Sequence, residues 1–124
     1  MSRFLWVALG GALGAVLRYA VSLIPVRGGF PVLTLLTNLL GALLIGFIAG
    51  AAEISAPSPS LILFVKTGLC GGFTTFSTFS LESYTLIKAG QKGTAVLYIA
   101  LSVGLCLLGI WLGHLAARRL YPLP

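Results

Sequence analysis

Four long apolar stretches alternate with short clusters of breaker and charged residues along this chain. The first runs from Phe4 to about Ile24 and stops at Pro25-Val26-Arg27-Gly28-Gly29. The second runs from Val32 to about Ala52 and is closed by Glu53 and by Ser-Ala-Pro-Ser-Pro-Ser at 55–60. The third fills Leu61 to about Ala89, ahead of the Gly90–Gly93 breaker cluster, and the fourth runs from Thr94 to about Ala117, before Arg118-Arg119. A helix crosses a ~30 Å hydrocarbon core in ~20 residues, so each stretch predicts one membrane span. The third is anomalous. As an unbroken helix its ~29 residues would reach ~43 Å, and its middle reads Gly-Gly-Phe-Thr-Thr-Phe-Ser-Thr-Phe-Ser at 71–80. The Gly71-Gly72 pair is where such a helix is expected to break, near 71–75. Lipid offers no partner to the backbone groups that a break frees, so they need protein, ion or water. Broken helices at membrane depth line ion or substrate sites for that reason.

Composition agrees with an all-α integral membrane protein. The 124 residues are 58% hydrophobic and only 8% charged, with a mean hydropathy of +1.07. A soluble domain carries about a quarter charged residues. One four-span domain covering 1–124 is expected, with helices at about 4–24, 32–52, 61–89 and 94–117. Ser2-Arg3 leads straight into apolar sequence without a small-residue cleavage pattern, so the first helix is expected to stay. Trp6, Tyr19, Trp111 and Tyr121 lie near span ends, as interfacial aromatics do. The net charge of +6 comes from scattered single residues and not from a basic stripe. It points to lipid headgroups or an anion, not to nucleic acid.

Four spans put both termini and the 53–60 loop on one side. That side receives Arg3, Lys66, Arg118 and Arg119; the other receives Arg18, Arg27, Lys88 and Lys92. An excess of Lys and Arg normally faces the cytoplasm, and here there is none. Either orientation has another cause, or the chain inserts both ways and pairs as an antiparallel dimer. A single four-helix unit has little interior for a pore, which favours pairing. Small residues four apart (Gly10/Gly14, Gly11/Ala15, Gly46/Gly50, Gly109/Gly113) allow close helix approach. Most are read as packing within one chain, with at least one pair facing the partner.

The ten residues at 71–80, followed by Glu82, resemble the third-helix signature of the Fluc (CrcB-type) fluoride channels. The likeness extends over the chain: Arg18 in Gly-Ala-Val-Leu-Arg, Asn38 in Thr-Asn-Leu-Leu-Gly, and Tyr98 and Ser102 four apart. It implies an antiparallel, dual-topology homodimer in the cell's inner membrane. Such a dimer would be a passive channel with two pores that lets cytoplasmic fluoride flow out. It further implies a structural Na+ at the dimer interface, held by backbone carbonyls at Gly71 and Thr74 of each subunit.

The candidate pore residues have both plain and functional readings. Asn38, with Thr34 one turn earlier, is either a polar clasp between helices or a donor to an anion path; beside the hydroxyl run the pore reading is preferred. Phe76, Phe79 and Glu82 recur every three residues and share a stripe. A phenylalanine stripe is ordinarily packing, but ring edges are positive and suit a dehydrated anion; the resemblance assigns both rings to fluoride. Ser77 and Thr78 are preferred as hydroxyl donors over Ser80, since such side chains also bond their own i−4 carbonyls. Glu82 is paired with Lys88 or with hydroxyls, and the resemblance places it at the pore. Arg18 either snorkels or, as the resemblance implies, sits at a vestibule. Tyr98 in a span ordinarily bonds a neighbouring helix; the resemblance implies that Tyr98 and Ser102 belong to a polar track beside the phenylalanines. Lys66 has no assigned role.

A small proton-coupled multidrug-type exporter is the alternative, but it needs a deep carboxylate, usually in helix one, and helix one has none. An enzyme is not expected. His114 has no carboxylate or cysteine near it in sequence, Cys70 and Cys106 lack metal-ligand spacing, and no phosphate-binding or catalytic motif is present.

Overall fold

The structure, a computed structural model, describes residues 2–121. Helix α1 spans Arg3–Ser22 and α2 Val32–Ser55. The third span starts with α3 (Pro59–Ile62), continues as a π-helical segment (Leu63–Cys70) and ends its first half in α4 (Gly71–Phe73). After two extended residues it resumes as α5 (Phe76–Lys88); α6 covers Lys92–Leu120. Among the described residues there is no strand, and four helical units are long and apolar enough to cross a membrane. This is a multi-pass membrane protein.

The helix ends follow from local sequence. Ser58 caps α3 by accepting the Leu61 N–H at 3.3 Å, with Pro59 at the first helical position, where its missing N–H does no harm. Helix α5 ends in a tight reversal in which Gly90 adopts φ +77° and the Gln91 N–H reaches back to the Leu86 carbonyl at 2.9 Å. That geometry is one in which glycine avoids a Cβ clash.

Two helix pairs make the bundle, and glycines set both. A Cβ on Gly46 would meet the backbone of Ile110, and one on Gly113 the backbone of Leu43 and Phe47, so α2 and α6 touch main chain to main chain. On the other side Gly10 and Gly14 of α1 meet the backbone of Phe64, Gly68, Leu69 and Phe73, while Gly72 meets Gly11 and Ala15. All four small-residue pairs named above have packing partners within the chain.

Helix α5 leans on α6 around Tyr98, which is fully buried with Leu35, Leu86 and Ala95 and flanked by Phe30 and Phe79. The outward faces carry Phe4, Leu107, Trp111 and many other large apolar side chains, as a lipid-facing surface requires. At the end of the bundle where α2 and α6 finish, Glu53 Oε2 lies 3.4 Å from both His114 Nε2 and Arg118 Nη2. Folding thus gives His114 the carboxylate neighbour that it lacks in sequence.

Candidate functional site

The third span breaks at Thr74 and Thr75, not at the glycine pair. Gly71 and Gly72 remain helical, whereas Thr74 (φ −79°, ψ 158°) and Thr75 (φ −149°, ψ 115°) are extended. Threonine is stiff at χ1 and suits extended backbone, but the decisive partner is Asn38 on α2. Its Oδ1 accepts the Thr75 N–H at 2.7 Å, and its Nδ2 donates to the Thr75 carbonyl at 3.1 Å. The side-chain amide thus pairs with this extended residue as a neighbouring strand would, supplying what lipid cannot. Thr75 Oγ1 then accepts the Thr78 N–H at 3.1 Å and caps α5. Gly72 serves close approach to α1 instead: it sits against Gly11 and Ala15, and its carbonyl accepts Arg18 Nε–H at 3.2 Å.

An open cleft of about 380 Å³ lies against the break. Asn38, Gly41, Gly71, Thr74, Thr75, Phe76, Phe79 and Ser102 line it, together with Lys66, Cys70 and Cys106. The rings of Phe76 and Phe79 stand 5.6 Å apart at 48°, and Phe79 in turn lies 5.4 Å from Tyr98 at 55°. Phe76 is 79% exposed. Opposite polarity comes from Asn38, which keeps one amide hydrogen beyond the one given to Thr75. Ser102 is only 6% exposed, and its Oγ has no hydrogen-bond partner among the described residues.

Behind the break a second, smaller pocket of about 70 Å³ is lined by Arg18, Ser22, Leu33, Thr34, Thr37, Thr75 and Thr78. Thr34 links this pocket to Glu82, whose Oε1 accepts the Thr34 hydroxyl at 2.8 Å and whose Oε2 accepts the Tyr98 hydroxyl at 2.7 Å. The carboxylate is held by hydroxyls from α2 and α6 and does not pair with Lys88, whose ammonium sits 5.9 Å above the Tyr84 ring. Arg18 is tied to the first half of the third span through the Gly72 carbonyl.

The family described as CrcB-like protein, Camphor Resistance (CrcB), matches residues 5–114. A fluoride-specific ion channel FluC of Flavobacterium psychrophilum is 47% identical over 124 residues, covering 97% of this chain and 100% of that protein. Proteins of the same name from Shewanella halifaxensis (44% identical; 92% and 94% covered) and Ignicoccus hospitalis (42%; 97% and 98%) are similar over nearly their whole length. The chain belongs to the CrcB/FluC family.

Within this family frame, the structure gathers the residues singled out from sequence in two places. Asn38, Phe76, Phe79, Ser102, Gly71 and Thr74 share the cleft, while Arg18, Thr34 and Thr78 share the pocket behind it. Tyr98 and Glu82 join the two regions by their mutual hydrogen bond. Ser77 lies on the exposed face of α5, within 3.3 Å of Thr75 Oγ1, and Ser80 bonds its own i−4 carbonyl on Phe76 at 2.8 Å. Sequence reasoning missed Thr75, whose backbone is the hinge and whose hydroxyl is the cap. A threonine ahead of a helix is a capping signal, masked here by the hydroxyl residues around it. It also missed Gly41: a Cβ there would collide with the methyl group of Thr74.

Proposed function

We propose that the chain forms a passive fluoride channel that lets cytoplasmic fluoride leave the cell, as an antiparallel dual-topology homodimer with two pores. The observation that carries this reading is the cleft at the helix break, where the Phe76–Phe79 wall shares one space with the Asn38 amide and the buried Ser102 hydroxyl. Amide and hydroxyl donors on one side and positive ring edges on the other replace part of the water shell of a small, hard anion. The donors themselves are uncharged, so the ion is held weakly enough to leave. Membership of a family whose relatives are named fluoride-specific channels supports the same ion and argues against an enzyme. No pump is needed: HF crosses membranes neutral and ionises inside, and fluoride runs out down its gradient.

The open, exposed face at Gly71, the cation tie and the small interior of one bundle all support pairing with a second copy. We further propose a structural Na+ at the dimer interface. Nothing approaches Gly71 within 4 Å of a would-be Cβ, and its carbonyl has lost its i+4 donor because the Thr75 N–H is held by Asn38. Carbonyl oxygens of Gly71 and Thr74 are hard ligands suited to such a cation. When bound, the cation would offset the carbonyl charge of two facing breaks.

The multidrug-exporter alternative is disfavoured because Glu82 is occupied by two hydroxyls and Glu53 lies at the bundle end. In a planar bilayer with opposed fluoride and chloride gradients, the reversal potential is expected at the fluoride equilibrium value. A reversal set by chloride, or proton-coupled uptake of organic cations without fluoride current, would overturn the reading.

A further inference from the structure

Lys66 is the one charged side chain lining the cleft. It belongs to the π-helical segment, seven residues after Pro59, which puts it about 10 Å along the rod from the start of the span. A cation so placed is expensive unless paired. The chain has two acidic residues, and both are engaged elsewhere: Glu53 with His114 and Arg118, Glu82 with Thr34 and Tyr98. A second copy of the chain would bring only the same two engaged carboxylates. Lys66 therefore has no acidic counterpart among the described residues. Arg18, the other embedded cation, is spoken for by the Gly72 carbonyl and lines the other pocket, not this cleft. Lys66, by contrast, lines the same cleft as Phe76, Phe79 and the buried Ser102.

We propose that Lys66 is the electrostatic collector of this cleft, raising the local concentration of fluoride beside the Phe76–Phe79 wall. The proposal rests on the fluoride-channel reading above. A lysine ammonium suits the role because it is a compact, strongly hydrated point charge on a flexible stem. It attracts a hydrated anion to a mouth without fixing it there. Low-dielectric walls around a single charge focus its field, so the effect on entry exceeds that of the same charge on an open surface.

The test is fluoride efflux from liposomes carrying wild type, Lys66→Gln, Lys66→Met, Lys66→Arg or Lys66→Glu at low fluoride. Ionic strength is set with an impermeant salt, and dimer elution and thermal unfolding serve as checks of fold. At ~10 mM ionic strength, where the Debye length is ~30 Å, both neutral variants are expected to lower the initial efflux rate about fivefold. At ~150 mM, where it is ~8 Å, the deficit shrinks to about twofold. Lys66→Arg restores most of the rate, and Lys66→Glu lowers it further than the neutral variants. Wild-type flux with equal rates for the folded neutral and acidic variants at both ionic strengths would overturn the proposal and leave Lys66 as a headgroup anchor. Absence of fluoride flux from folded wild type would overturn the channel reading itself, and this proposal with it.

Discussion

Asn38 holds both backbone groups of Thr75, taking its N–H at 2.7 Å and giving to its carbonyl at 3.1 Å. One side chain on α2 thereby makes an extended residue tolerable inside a membrane span. Replacing it with leucine leaves a donor and an acceptor unpaired, at a cost of about 1–3 kcal/mol. Asn38→Leu is expected to lower the unfolding temperature in detergent by several degrees and to reduce fluoride efflux more than tenfold. Unchanged stability would show that the break does not depend on the clasp.

Glu82 joins α2, α5 and α6 through the hydroxyls of Thr34 and Tyr98. Bonds to a charged acceptor are worth about 1.5–3 kcal/mol. Tyr98→Phe and Glu82→Gln should each destabilise the protein, and the double variant should lose clearly less than the sum, because both changes remove one shared interaction. Additive losses in a thermal-denaturation cycle would show that the hydroxyl and the carboxylate act independently.

Phe76 and Phe79 differ in what else they hold. Phe76 stands largely free, whereas Phe79 also packs on Tyr98. Phe76→Leu is expected to cut fluoride flux with little change in stability. Phe79→Leu is expected to lose flux and, in addition, about 1 kcal/mol from the aromatic contact and lost packing. Full flux from folded Phe76→Leu protein would remove the ring from the pathway.

The glycines separate into three groups that alanine substitution can distinguish. At Gly46 and Gly113 an added methyl group meets the backbone of the facing helix. Relief requires the helices to part, so losses of about 1–3 kcal/mol from overpacking are expected. At Gly104, where nothing lies within 4 Å, alanine should be neutral or stabilise by up to about 1 kcal/mol. Gly71→Ala should leave the single-chain fold intact yet weaken pairing, read as a shift from dimer to monomer on dilution in detergent. A dimer unaffected by Gly71→Ala would move the interface elsewhere.

Dual topology has its own readout. A single cysteine placed at one terminus, in a background lacking Cys70 and Cys106, is expected to react with an impermeant thiol reagent from both membrane faces. Strictly one-sided labelling would exclude antiparallel pairing.

The spans and the broken third helix were legible because apolar runs of this length suit a membrane helix and little else, and Pro57 and Gly90 punctuate them; Glu53, expected to close the second span, lies within α2. The exact break was not. Gly71-Gly72 carries the strongest intrinsic breaker signal, yet the backbone departs at Thr74–Thr75, where a tertiary partner, Asn38, can satisfy it. Glycine's role at 72 is proximity to Gly11, a relation between distant segments that no local pattern reveals. The π-helical segment was equally hidden, since Leu-Phe-Val-Lys-Thr-Gly-Leu-Cys contains nothing that distinguishes i→i+5 from i→i+4 bonding. Glu82 could be placed on the stripe of Phe76 and Phe79 by spacing, but its hydroxyl partners come from Thr34 and Tyr98, 48 and 16 residues away. The residues whose roles depend on one helix were readable; those that bridge helices needed the fold.

The most direct measurement is ion efflux from liposomes carrying the purified protein, followed with a fluoride electrode and with a parallel chloride assay. Fast fluoride release driven by its gradient alone, with negligible chloride release, is the expected result. Folded protein that releases no fluoride, or that releases chloride at a comparable rate, would contradict the proposed channel.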